Sequence, residues 1–275
     1  MKQKGLLSRT TNETKQKVLE LYQKGHSQTY IENALHMTRK TIRNILNSQG
    51  FIIRTKSEQS DFYHMESTLR ENAFDLVTDE MAYWLGFLYA DGYITNPETH
   101  FNVGVLLKES DIGHLEKLKE FLKAPQKIRH DIKYKNAGFR VGSKKLHASL
   151  MRWGFTTNKS YDAAVPEVMR YNRHFWRGIV DGDGYMGNIR EKPRMQLCGT
   201  KDIVEGFKSF LNLSGVQTEY KVKKHPQKSL HIFEVGYDLG VQAAKILYDD
   251  SFVYLDRKYE IYKGWLSTKH NDRLI

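Results

Sequence analysis

One cysteine, Cys198, stands in 275 residues. A single thiol excludes an intramolecular disulfide and any zinc site built from a cysteine cluster, and it fits a reducing compartment. Long apolar runs are also missing: no window approaches the roughly 18 uninterrupted apolar residues of a membrane helix. The opening residues, MKQKGLLSRTTNETK, lack the apolar stretch of a secretion signal. These absences predict a soluble, cytoplasmic protein. Hydrophobic residues still make up 40% of the chain, enough for a packed core, and the length allows one large domain or two to three small ones. Acidic residues are outnumbered, 32 Asp and Glu against 43 Lys and Arg, leaving a net charge of +11. Such a balance favours a polyanionic partner without establishing one. Its distribution says more. Residues 1–60 hold 11 Lys and Arg against 4 Glu, a net +7 of the total +11.

That basic segment reads as three short helices over residues 11–51. Val18, Leu19, Leu21 and Tyr22 stripe the first, and Gly25 stops it; Ser27 caps a second whose buried face is Ile31, Ala34 and Leu35. Thr38 caps a third with Ile42, Ile45 and Leu46 inward, ended by Gly50. Two helices joined by a tight turn form a helix-turn-helix, in which the second enters the DNA major groove. Here it would present Thr38, Arg39, Lys40, Arg43 and Asn44. The spacing of the apolar positions resembles the resolvase-like helix-turn-helix family.

The rest of the chain contains an internal repeat. EMAYWLGFLYADGYI (80–94) aligns with FWRGIVDGDGYM (175–186), Asp91 on Asp183 and Gly86 on Gly178, 92 residues apart. The Asp-Ile pairs of ESDIGHLEKLKEFL and GTKDIVEGFKSFL lie 20 and 19 residues beyond the two acids, and Leu146 and Leu239 lie 55 and 56 beyond. Each copy reads motif helix, two strands, helix, two strands, helix. Basic and polar residues alternate with apolar ones in the strand regions. Lys127, Arg129, Lys133 and Lys135 share one side of the first copy, opposite Ile128, Ile132 and Tyr134. Asn188, Arg190, Lys192, Arg194 and Gln196 do so in the second, with a break at Glu191, and Lys221 and Lys223 repeat the pattern. Strands with such a face offer a surface for phosphates and bases.

Both motif helices carry small residues at i and i+4, Gly86 with Ala90 and Gly178 with Gly182. Packed through those faces, the helices would bring Asp91 and Asp183 side by side where the chain leaves at the C′ glycines Gly92 and Gly184. Two carboxylates at two negative helix ends repel and require a cation. An all-oxygen donor set suits Mg²⁺, or Mn²⁺ as a substitute, and metal-assisted phosphodiester hydrolysis. Asp181 aligns with Tyr89 and is expected only to face the surroundings of its helix end.

At these residues the sequence resembles the LAGLIDADG homing endonuclease family in its single-chain, two-motif form. The motifs read WLGFLYADG (84–92) and WRGIVDGDG (176–184), and the similarity spans about residues 76–266, including VYLDRKYEIY. The resemblance implies an α+β fold, a pseudo-twofold pair of αββαββα halves at 76–170 and 171–275 whose antiparallel strands form a saddle on DNA. A small all-α helix-turn-helix domain at 1–52 and a linker at 53–75 would precede it. The implied activity is that of a monomeric, site-specific endonuclease cutting both strands of a long double-stranded DNA target, with Asp91 and Asp183 as catalytic acids. The carbonyls of Ala90 and Gly182 would be additional metal ligands. The family's further basic and polar residues would be Lys144 and Gln196, with Tyr237 in the second copy's basic position. With no starting nucleophile, and with His270-Asn271 followed by Asp272, a freestanding or intron-encoded enzyme of a bacterium or phage is expected rather than an intein. The alternative is a non-cleaving DNA- or RNA-binding relative, an intron maturase or a transcription regulator.

Overall fold

Hydroxyl groups start the first three helices. Thr11, Ser27 and Thr38 each accept a hydrogen bond from the backbone N–H three residues on, capping α1 (Asn12–Gln23), α2 (Gln28–Leu35) and α3 (Arg39–Ser48). Val18, Tyr22, Ile31, Ile42, Ile45 and Leu46 form their common core. His36, at φ +51, turns the chain between α2 and α3. Ala34 is exposed, against expectation, while Ile31 is buried and Leu35 packs half-buried on this core. The computed structural model describes residues 11–55, 58–59, 68–157, 162–226 and 229–271, the last three without side chains. It divides into two units, Met1–Thr68 and Leu69–Ile275.

Both ends of the expected linker belong to these units instead. Phe51 and Ile53 pack on the first core, and Arg54 lies 3.9 Å over the Tyr22 ring while its N–H donates to the Tyr22 hydroxyl at 2.8 Å. At the other end Leu69, Ala73 and Phe74 are buried in the core of the second unit. Scattered apolar residues that read as linker decoration are anchors. Residues 60–67, also assigned to the linker, lie outside the described residues.

The second unit is built twice over. Its first half runs α4 (Asp79–Asp91), β1 (Gly92–Ile94), β2 (Asn102–Lys108), α5 (Ile112–Leu122), β3 (Arg129–Asp131), β4 (Asn136–Gly142) and α6 (Lys144–Arg152). The second runs α7 (Arg173–Asp183), β5 (Gly184–Ile189), β6 (Lys192–Gly199), α8 (Lys201–Leu213), β7 (Lys223–Lys224), β8 (His231–Gly236) and α9 (Tyr237–Tyr248), closed by α10 (Asp256–Asn271). Both sheets are antiparallel with the same order, β1-β2-β4-β3 and β5-β6-β8-β7. Val103, Val105, Leu107, Phe139 and Val141 point to the core from the first sheet, and Met195, Leu197, Phe233 and Val235 from the second. The opposite faces stay open.

The strand expected at 126–135 is shorter than its alternation suggests. β3 ends at Asp131, and the chain turns through Lys135 at φ +51 into β4. Ile132 and Tyr134, expected on a buried side, are 87% and 64% exposed at this turn. In the second copy the turn falls at Arg190 and Glu191, at φ +50 and +63. These two adjacent positive values are what a two-residue hairpin requires.

The two motif helices hold the halves together. α4 is buried from Met81 through Tyr89, with no polar stripe, and α7 from His174 through Asp181. A Cβ on Gly86 would collide with the carbonyl of Phe175, and one on Gly178 with the carbonyl of Tyr83. Each glycine therefore lets the other backbone touch it directly. Gly86→Ala or Gly178→Ala should lower the free energy of unfolding by about 3 kcal/mol, overpacking outweighing the roughly 1 kcal/mol gained in helix propensity. Gly264, in α10 with nothing within 4 Å of a built Cβ, is the control. Gly264→Ala should stabilise by about 0.5–1 kcal/mol in the same urea titration.

Candidate active site and nucleic-acid interface

Each motif helix runs straight into a strand at its glycine. The N–H of Gly92 donates to the carbonyl of Leu88 and that of Gly184 to Val180, with φ at −76 and −81. No left-handed cap forms, so the glycines serve a different need. A Cβ would stand 2.7 Å from the Leu88 carbonyl at Gly92 and 2.5 Å from that of Val180 at Gly184. The residue before each glycine is a motif acid, held at the helix end by this tight exit.

The close crossing of α4 and α7 carries these ends together. At Gly182 a Cβ would collide with that of Ala90 and stand 3.1 Å from Oδ2 of Asp91. The Asp91 carboxylate thus lies against the last turn of the opposite helix. Asp91 is half-buried and Asp183 exposed. Both act electrostatically on one buried ammonium, Lys258. Among the described residues, no group of three or more His, Cys, Asp and Glu side chains is placed to hold a metal. The donor set is two carboxylates and helix-end carbonyls, all oxygen, which fits a hard divalent ion that completes its shell with water or phosphate.

Lys258 is the residue that sequence reasoning missed. It is 1% exposed, and its Nζ donates to the carbonyls of Val180, Asp181 and Gly184, the Asp181 bond measuring 2.9 Å. Three acceptors at the negative end of α7 are thereby capped by a cation, and the Gly182 carbonyl is not among them. Burial pushes the Lys258 ammonium down to about 8, against the opposing pull of Asp181, Asp91 and Asp183. A signal existed in the spacing. Lys258 lies on the stripe Leu255, Tyr262, Trp265 that α10 buries, where a lysine is out of place.

Asp181 also differs from expectation. It is fully buried, not merely beside the helix end, and accepts from the hydroxyls of Tyr83 at 2.7 Å and Tyr248 at 2.6 Å and from the N–H of Leu255 at 2.9 Å. One carboxylate thus joins α4, α9 and the entry to α10. Burial raises its pKa, while Lys258 and the three hydrogen bonds favour the charged form. At the aligned position Tyr89 donates to the carbonyl of Trp153.

Lys144 follows the end of β4 that lies away from the Gly92 row. It opens α6 with Nζ 5.5 Å over the Phe101 ring, and the preceding Ser143 bonds to the Phe101 carbonyl. That is where Asn102 pairs with Gly142, three ladder positions from Val105, the partner of Gly92. At about 3.3 Å per residue, the strands have carried the chain roughly 10 Å away before α6 begins. Gln196 lies on the open face of β6 opposite Tyr185, two residues beyond Asp183.

The open faces gather part of the expected basic surface. Arg129 shares a row with Leu106 and Gly138 in the first sheet. Lys192, Arg194, Gln196 and Lys223 lie on the open face of the second, while Lys221 is exposed just before β7. Arg190 sits in the hairpin turn, Lys133 and Lys135 in the β3–β4 turn, and Lys127 before β3, all exposed. Asn188 is on the wrong face. It pairs with Pro193, alternates with Gln196's partner Tyr185, and its Oδ1 accepts from Trp265 Nε1 at 2.8 Å. A two-residue turn interrupts what reads as one continuous alternation, which is the cause of this error. Arg140, exposed on the open face of β4 between buried Phe139 and Val141, belongs to the surface although the basic alternation does not extend to it. In the first unit Arg39, Lys40, Arg43 and Asn44 are exposed along α3, with Arg39 bonded to Glu32 at 2.7 Å.

The two neighbouring aspartates of α7 should behave oppositely. Asp181→Asn places an amide against three donors and should cost about 3 kcal/mol of stability. Asp183→Asn removes an exposed charge from a negative helix end and should stay within about 0.5 kcal/mol of the parent chain. Urea unfolding of the two variants distinguishes the roles, and equal losses would refute the assignment.

No protein-family model matches the chain, and no curated protein sequence is found to be related to it. Solved structures do resemble it. The meganuclease I-SmaMI, bound to uncleaved target DNA with calcium ions, matches with a TM-score of 0.51 at 11% identity, over 73% of this chain and 94% of its own. A double mutant of I-SmaMI, with two lysines replaced by alanine, matches with a TM-score of 0.52 at 12% identity, over 72% and 94%. I-SmaMI on cleaved DNA matches at 0.50 and 12%, over 72% and 92%. At such identity the likeness speaks for the fold. With two glycine-packed motif helices, two four-stranded sheets in matching order and paired acids at the helix ends, the chain has the LAGLIDADG homing endonuclease fold in its single-chain, two-motif form.

Proposed function

We propose that this protein is a site-specific endonuclease that hydrolyses both strands of a double-stranded DNA target with divalent metal ions. The observation that supports this reading is the crossing of α4 and α7, whose last turns meet at Ala90 and Gly182 and each of which ends in a motif aspartate. Both acids are present, which favours cleavage over a purely binding role. Asp91, Asp183 and the carbonyls of Ala90 and Gly182 would hold Mg²⁺, or Mn²⁺, which when bound would activate water and stabilise the leaving oxygen. Lys258 positions the end of α7 and keeps positive charge beside the acids without projecting to the open face. Gln196, on the open face opposite Tyr185, would hydrogen-bond water or a phosphate oxygen. Arg129, Arg140, Lys192, Arg194 and Lys223 neutralise phosphates or read bases from the sheets. The unit built on α1–α3 adds a second DNA-binding element through Lys40, Arg43 and Asn44 on α3.

Cleavage of a selected DNA target in Mg²⁺ tests the reading. Asp91→Asn and Asp183→Asn should each slow cutting by roughly 100-fold or more, the loss of several kcal/mol of metal-assisted stabilisation, while binding in Ca²⁺ persists. A wild-type chain that binds a defined site and leaves it intact in both Mg²⁺ and Mn²⁺ would sink the proposal in favour of a binding protein. For the first unit, Lys40→Ala with Arg43→Ala should weaken target binding and lower the slope of log affinity against log salt by about 1 for each phosphate no longer neutralised. An unchanged slope would remove α3 from the interface.

A further inference from the structure

At the same distance from the acids, one row of each open sheet ends in a side chain of opposite charge. Tyr93 and Tyr185 each stand two residues beyond a motif aspartate, on the open face of the first strand of each half. The ladders continue each row across its sheet: Tyr93, Gly104, Arg140 in the first half and Tyr185, Gln196, Glu234 in the second. The repeat makes these rows equivalent under the pseudo-twofold. One ends in a guanidinium, the other in a carboxylate.

Their surroundings differ in a way that follows from this. In the first sheet the Tyr93 ring lies over Gly104, where any Cβ would meet it, and so fills the space that Gln196 takes in the second. Tyr93, Leu106, Arg129, Ile132 and Arg140 bound a recess with Gly138 at its floor. Leu106 is 55% exposed and Tyr93 41%, apolar surface left open on a sheet face until something covers it. Arg140 is exposed and, among the described residues, forms no ion pair. In the second sheet Glu234 is held by Arg194 and flanked by Gln196, a carboxylate fixed in place.

A guanidinium offers paired donors that match guanine N7 and O6, whereas a carboxylate only accepts, matching the cytosine N4 amino group and repelling the guanine edge. Resting on the endonuclease reading above, we infer that Arg140 and Glu234 set the base preference of this row, one in each half-site. Guanine is read by Arg140 in one half-site, and cytosine by Glu234 at the symmetry-related position of the other. Tyr93 and Leu106 line the recess beside Arg140 and supply apolar surface to a neighbouring base.

The test selects randomised duplex DNA on the full-length chain in Ca²⁺ and then measures affinity for every single base-pair change. Arg140→Gln should lose guanine preference at one base pair, where discrimination falls by roughly 5- to 150-fold, the range of one paired side chain–base interaction. Arg140→Lys, which keeps the charge and gives up the fork, should lose most of that discrimination at the same pair and serves if the glutamine variant fails to fold. Glu234→Gln should lose cytosine preference at the related pair. Arg140→Glu with Glu234→Arg should exchange the two preferences. A wild-type chain that selects a sequence whose profile none of these variants alters overturns this inference and leaves the endonuclease reading standing. A wild-type chain that selects no sequence at all defeats both.

Discussion

Everything in the second unit depends on two backbones touching. Gly86 accepts the carbonyl of Phe175, and Gly178 accepts that of Tyr83. With a repeat of 92 residues these approaches exchange, each glycine meeting the residue equivalent to the one its partner meets. The crossing of α4 and α7 is thus nearly fixed, because no side chain intervenes that could change rotamer and let the axes drift. Such a crossing leaves no freedom in where the two helices end. Ala90 then falls against Gly182, and the carboxylate of Asp91 reaches the last turn of the opposite helix. Precision at the acids is inherited from packing about one and a half turns away.

The same crossing creates an electrostatic difficulty that the buried residues resolve. Two helices ending together direct their unsatisfied carbonyls and two carboxylates into one region. Lys258 answers for α7 by donating to three carbonyls, and Asp181 answers for Lys258 by supplying a nearby opposite charge that two tyrosine hydroxyls and one N–H favour. Arg177 joins this interior by donating to the carbonyls of Val253 and Leu247 and to His174. The closing segment 247–258 is consequently stitched to the motif helix by polar bonds instead of apolar packing alone. A buried arrangement of this kind constrains geometry more than it adds stability. Geometry is what paired acids need.

Much of this is legible in the sequence. The repeat, the small residues at i and i+4 and the caps at Ser27 and Thr38 depend on local pattern, and local pattern survives folding. The place of Gln196 on the open face rests on the same periodicity. Other features require the third dimension. Lys258 and Asp181 are charged residues whose burial comes from elements far apart in the chain, so a reading based on charge sends both to the surface. Asn188 is misplaced by periodicity because a two-residue turn reverses the chain, and opposed residues then share a face where a continuous strand would alternate them. How far Lys144 stands along the strands from Gly92 is visible only once the ladder register is known. Leu69 and Phe74 look like linker residues since nothing nearby in sequence reveals the core they enter.

Equivalence of the two halves ends at the backbone. The close approaches that fix the crossing, the sheet orders and the positions of the two acids repeat, whereas the side chains around them diverge. Tyr89 anchors its helix end by donating a hydroxyl to Trp153, and Asp181 anchors the equivalent position by accepting three hydrogen bonds. Such divergence follows from joining two repeats in a single chain. A homodimer must place the same residue on both sides of its axis and so reads the same base twice. A fused pair is released from that restriction at every position except those where the two backbones meet. The glycines are confined to their places by the crossing, and the open faces, which touch nothing across the axis, are where opposite charges such as Arg140 and Glu234 can stand at equivalent points without cost to the fold.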